Sequence, residues 1–136
     1  KKSIEKFETQ SASSLLRELE AKSVQIKGIR FLSGKFDTGS ADMLRNIAFQ
    51  VRDSSDNTVL VLGAAISGKA NILVMVSDNL VKKKNLNAAA IIKEISGEIS
   101  GGGGGQAFLA SAGGKNPEGI TAALKKAEEY LRRMVE

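Results

Sequence analysis

The chain has 136 residues, 42% apolar and 26% charged, the proportions of one soluble globular domain that buries a core without disulfides or structural metal. It contains no Cys and no His, which excludes a thiolate nucleophile, a Ser-His-Asp triad, an imidazole acid-base pair and the usual zinc sites. Twenty Lys and Arg against fifteen Asp and Glu leave a formal charge of +5, which assists contact with a polyanion, while aromatics at 4% argue against a single-strand reader built on stacking rings.

From Lys1 to about Gln25 there is neither Gly nor Pro, and Ile4, Phe7, Leu15 and Leu19 recur at helical spacing. An amphipathic helix is expected there, its stripe narrowed by Ser11 and Ser14, either projecting toward a partner or folding back on the sheet. Because the chain starts inside this Lys/Glu-rich pattern without Met, it reads as a piece of a longer protein. The expected division is a linker helix over residues 1–27 and a globular domain over residues 28–136.

Ile29 to Phe36 has the apolar content of a strand, ended by Gly39 and Ser40. Ser40 is a suitable N-cap for a helix that gathers Leu44, Ile47, Ala48 and Val51 on one face. After a polar turn over Asp53 to Asn57, the run Thr58 to Ile66 predicts a strand buried on both faces. Ser67 to Asn71 separates it from its hairpin partner, Ile72 to Val76. Asp78 to Asn85 is a short helical turn or loop carrying Lys82, Lys83 and Lys84. The next helix, from about Leu86, aligns Ala88, Ile91, Ile92, Ile95 and Ile99, with Asn85 or Asn87 as cap. Gly101, Gly102, Gly103, Gly104 and Gly105 follow, then Gln106 and an apolar segment ending in Gly113 and Gly114. The last helix has Asn116 as cap and Pro117 in its first turn, with a buried stripe of Ile120, Ala123, Leu124, Ala127, Leu131 and Met134. These elements predict an α/β (α+β) domain with a mixed central sheet of about four or five strands flanked by helices.

Gly63 to Ala70 matches a phosphate loop, G-x-x-x-x-G-K-[ST], in all but its last position. Ala70 has no hydroxyl for Mg²⁺ and a strand follows where a helix is required, so the glycines are assigned to a hairpin turn. The five-glycine run is a stronger candidate. Each ordered glycine costs roughly 0.5–1 kcal/mol relative to Ala, and a shaped glycine loop can aim several N–H groups at one anion as a nest. A flexible linker is the alternative, but the apolar segment behind the run favours a shaped loop and strand. Lys82, Lys83 and Lys84 are the densest charge in the chain and suit successive phosphates, or else form an ordinary solvated surface. The aspartates fall where turns and caps favour short acids, and no carboxylate pair stands out for acid-base work.

Gly101 to Gly114, followed by the Pro117 helix, resembles the glycine motif of the DHH-associated domain, and the order of elements upstream resembles the C-terminal domain of alanyl-tRNA synthetases over nearly the whole chain. Many synthetase members carry Arg-Pro-Asp where this chain has Gln106, Ala107 and Phe108, so contacts from that Arg and Asp are not carried over. The related phosphodiesterases place a His in their motif, and its absence here favours the synthetase group over a substrate-gripping half of a hydrolase. The resemblance implies a non-catalytic module that contacts the outer corner of tRNA(Ala) and couples the aminoacylation and editing domains of its parent chain. In some members it dimerises, and a pure dimerisation module is a further alternative. The expected RNA contacts are Lys82, Lys83, Lys84, Gly101 to Gly105 and Gln106, with Lys69 and Lys115 as weaker ones. No cofactor is expected in this fragment, since ATP, Mg²⁺ and Zn²⁺ would serve other domains of the parent. With no signal peptide and no apolar span of ~20 residues, the expected location is the cytoplasm and no membrane contact is expected.

Overall fold

Thr58 to Ile66 organises the molecule, because its side chains are apolar on both faces and each face is covered by different helices. The computed structural model describes residues 23–26, 28–36, 41–54, 57–66, 68–83 and 86–135. Residues 1–22 of the helix expected from Lys1 to about Gln25, the Ser40 cap and Lys84 lie outside them. The strands are β1 (Val24–Ile26), β2 (Ile29–Phe36), β3 (Thr58–Ile66), β4 (Lys69–Val76), β5 (Gly101–Gly105) and β6 (Leu109–Gly114). The helices are α1 (Ala41–Ser54), α2 (Asp78–Lys83), α3 (Ala88–Ile95) and α4 (Ile120–Val135), with short 3-10 turns at Ser96–Ile99 and Pro117–Gly119.

One sheet runs in the order β1-β2-β3-β4-β6-β5. Only β2 and β3 are parallel, joined through α1, and every other pairing is antiparallel. Val59 and Val61 of β3, with Ile72 and Val74 of β4, pack beneath α3 and α4. Leu60, Leu62 and Ala64, with Leu73 and Met75, pack beneath α1. The alternation is that of a central strand buried on both sides.

The mixed α/β architecture is as expected, and the sheet has six strands instead of about four or five. The additional strands are the two edges. Val24–Ile26 is strand, not the end of a helix, because Gly28 at φ +85° lets the chain turn back and pair Val24 with Phe31. The glycine run is likewise a strand, β5, held against β6. The β3–β4 turn is tighter than the expected Ser67 to Asn71 spacer: Ile66 is already opposite Lys69, with Gly68 at φ +78° between them. Helix α1 runs to Ser54, into the expected polar turn.

Asn87 caps α3 as expected, its Oδ1 accepting from the N–H groups of Ala89 at 2.9 Å and Ala90 at 3.2 Å. Asn116 does not cap by its side chain. Its Nδ2 instead donates to the Glu98 carbonyl at 3.3 Å, and its N–H donates to the Ile99 carbonyl at 3.0 Å, tying the two 3-10 turns together. In α4 the stripe Ile120, Ala123, Ala127 and Leu131 is buried and Leu124 packs partly against it, but Met134 is 44% exposed. Met134 stays in angular line with Ala127 and Leu131, so its exposure means that the surface beneath the helix has ended, not that the helical pattern has changed.

Candidate functional site

Lys82 and Lys83 are exposed in the last turn of α2, a six-residue helix pinned by buried Leu80. Basic residues there also complement the carbonyl end of the helix, which gives them a local role of modest size. The backbone N–H of Ala88 donates to the Ala107 carbonyl at 2.8 Å, and that of Val76 to the Phe108 carbonyl at 2.9 Å. Those bonds place α2 at the same end of the sheet as Gly105, Gln106 and the β5–β6 turn.

Lys69 and Lys115 are at the opposite end. Ala70 pairs with Gly114 and Gly114 with Gly101, so the exposed side chains of Lys69 and Lys115 flank the start of the glycine strand. Seven residue steps of β4 separate Lys69 from Val76, roughly 23 Å at the rise of a strand. The expected contacts therefore form two basic ends joined by one glycine edge, not a single cluster.

As a strand, β5 does not form an anion nest, which corrects the expected loop. A nest needs successive N–H groups pointing the same way, whereas an extended strand directs them alternately toward β6 and outward. Its glycines divide by parity. A Cβ on Gly101 would fall on the Gly113 carbonyl oxygen, one on Gly103 on the Ser111 carbonyl oxygen, and one on Gly105 within 2.6 Å of the Ala110 Cα. Close approach to β6 thus accounts for those three. A Cβ on Gly102 or Gly104 would meet nothing within 4 Å.

Gly102 and Gly104 pair with Gly113 and Ser111, on the sheet face that carries Leu73 and Met75. Helix α1 covers that face over β3 and β4 and stops short of β5. The remainder is a groove of about 330 Å³, with Gly102, Ser111, Gly113 and Asn71 on its floor and Leu44 and Arg45 of α1 along its wall. The sequence did not single out Arg45 or this groove. Their proximity to Gly102 depends on β6 inserting between β4 and β5, which no local pattern reveals.

The false phosphate loop has a structural explanation. Gly63 lies in β3, where a Cβ would fall on the Ile120 side chain, and Lys69 begins a strand. Among the described residues no three Asp, Glu, His or Cys side chains group to hold a metal ion.

The sequence pattern of the DHHA1 domain matches residues 25–133. The chain belongs to the DHHA1 domain family. Relatives include the alanine–tRNA ligases of Christiangramia forsetii, 41% identical over 97% of this chain, and of Cytophaga hutchinsonii, 36% identical over 96%. This DHHA1 chain spans only about 15% of the length of either ligase. Among solved structures, the C-Ala domain from Aquifex aeolicus alanyl-tRNA synthetase superposes with a TM-score of 0.71 at 29% identity, covering 83% of this chain and 96% of that domain. A DHH-domain member of the s1p family of ribosomal proteins superposes at 0.59 with 19% identity over 92% of this chain and 31% of its own, which shows a common fold alone. The DHHA1 family and the C-terminal synthetase domain expected from the glycine motif are therefore what the comparisons return. Among the described residues no helix is long and apolar enough to cross a membrane.

Proposed function

We propose that this DHHA1 chain is a tRNA-binding C-terminal module of an alanine–tRNA ligase, which contacts the outer corner of tRNA(Ala) and helps couple the aminoacylation and editing domains of its parent chain. The observation that carries the proposal is the superposition on nearly the whole of a C-Ala domain, together with relatives that are much longer ligases. In this reading the fragment is not itself catalytic and needs no cofactor. Its contact surface follows the glycine edge, from Lys69, Lys115 and Gly101 at one end to Gly105, Gln106, Lys82 and Lys83 at the other, and includes Lys84, the next residue in sequence.

Shape and charge are the expected basis of recognition, since folded RNA buries most base edges and presents phosphates and 2′-hydroxyls. The test compares full-length tRNA(Ala) with an acceptor-stem minihelix that lacks the corner, by anisotropy titration against the 136-residue chain. Tighter binding of the full tRNA is expected. Equal affinity for both, or no affinity for either, would overturn corner recognition.

A further inference from the structure

Charged side chains stand on both faces of the sheet, and on the α3 and α4 side Lys93 and Lys125 are exposed without an ion pair among the described residues. On that side, Lys126 pairs with Glu98 at 3.6 Å, Arg132 with Glu128 at 3.7 Å and Arg133 with Glu94 at 3.6 Å. On the α1 side, Arg45 and Lys69 are exposed, as is Lys115 just beyond Gly114, and among the described residues none of these three makes an ion pair. Between them lies a stretch of that face which α1 leaves bare, the groove over β4, β6 and β5.

We infer that RNA seats on this α1 side of the glycine strand, with Arg45 as a phosphate contact at the wall of the groove. The inference rests on the tRNA-binding reading above and adds to it a face and a residue. Two arguments favour a polyanion as the occupant. Arg45 is the charged side chain lining the groove and no described carboxylate lines it, so an approaching phosphate meets an attractive local charge. Gly102 and Gly104 have no packing reason to be glycine, yet each retains the entropic cost of one; a bare backbone lets a bulky, rigid partner approach to contact distance.

The experiment titrates tRNA(Ala) with the 136-residue chain and with three variants across a series of salt concentrations, and records thermal melting of each. Arg45→Gln is expected to weaken binding and to lower the salt slope by about one unit, the change that removal of a single phosphate contact produces. The double variant Gly102→Val with Gly104→Val is expected to weaken binding by about tenfold or more while leaving the slope intact. Lys125→Ala, exposed on the α4 side, serves as the control and is expected to bind as the parent chain does. Should the valines disturb folding, Arg45→Gln still decides, because the residue is exposed and its replacement leaves the core intact. If the chain binds tRNA and Arg45→Gln binds with unchanged affinity and slope, this face is not the RNA face, though the proposed function stands. If the parent chain does not bind tRNA, both fall. If the face instead seats a second copy of the chain, the valine variant abolishes self-association and leaves tRNA affinity unchanged, which also overturns the inference.

Discussion

Asn79 grips Asn57 twice: its side-chain Nδ2 donates to Asn57 Oδ1, and its Oδ1 accepts from the Asn57 backbone N–H at 3.1 Å. Asn57 has φ +54°, a left-handed conformation that Asn tolerates better than most residues. The same Asn79 Oδ1 accepts from the Ser77 hydroxyl at 2.8 Å, and that hydroxyl accepts from the buried N–H of Thr58 at 3.0 Å. The start of β3 is thereby fastened to the start of α2, the helix that carries Lys82 and Lys83.

Removing the centre of this network should loosen that end of the sheet. Asn79→Ala is expected to destabilise the chain by about 1–3 kcal/mol, since it leaves the Ser77 hydroxyl and the Asn57 N–H without their acceptor. Chemical denaturation checks this: the midpoint should fall with the slope unchanged. A midpoint equal to that of the parent chain would show that water replaces Asn79 at no cost.

Opposite outcomes are expected at neighbouring glycines of β5. Gly103→Ala places a methyl group on the Ser111 carbonyl oxygen and against the Ala112 side chain, which should cost about 1–3 kcal/mol through forced backbone movement. Gly104→Ala meets open space, and should be neutral or stabilising by about 0.5–1 kcal/mol, because it reduces the freedom of the unfolded chain. Melting temperatures of the two variants decide the matter, and equal values would contradict the parity of the strand.

How much was legible in the sequence varied by element. β3, β4, α1, α3 and α4 announced themselves through apolar period, caps and turn residues, because each buries a continuous face. β5 did not. Glycine carries no periodicity and has low strand propensity, so only its pairing with β6 makes it a strand. The position of β5 outside β6 at the sheet edge is a tertiary fact, and it decides that Lys69 and Lys115 flank one end of the glycines while Lys82 and Lys83 flank the other. Residue types and motif were readable. The face on which they act was not, because parity along β5 has no meaning until its register with β6 is known.

The last helix offers a test of where the core ends. Leu131 is fully buried and Met134 is 44% exposed, although both continue the same stripe. Leu131→Ala is expected to cost about 2–5 kcal/mol, the range for removing a large buried side chain, whereas Met134→Gln should stay within about 0.5 kcal/mol, as surface substitutions do. Equilibrium unfolding of both variants provides the comparison. A comparable destabilisation by Met134→Gln would mean that a further surface covers this turn.

The lysine run can be separated from the glycine edge by salt. Lys82, Lys83 and Lys84 are proposed to meet phosphates, whereas Gly101 to Gly105 are proposed to set the distance of approach. Removing one phosphate contact lowers the dependence of log K on log salt by about one unit. Replacing the three lysines with Ala should therefore weaken tRNA(Ala) binding and flatten the salt slope by about two to three units. Removal of the helix-end charges should cost the fold little, about 0.3–1 kcal/mol per residue at most, so a melting curve near that of the parent chain is the accompanying control. An unchanged slope would mark the lysines as a solvated helix end, which the C-terminal position of Lys82 and Lys83 in α2 by itself explains. In that outcome the affinity must come from the other end of the strand, where Lys69 and Lys115 flank Gly101, and the corresponding double replacement should then carry the reduction in slope.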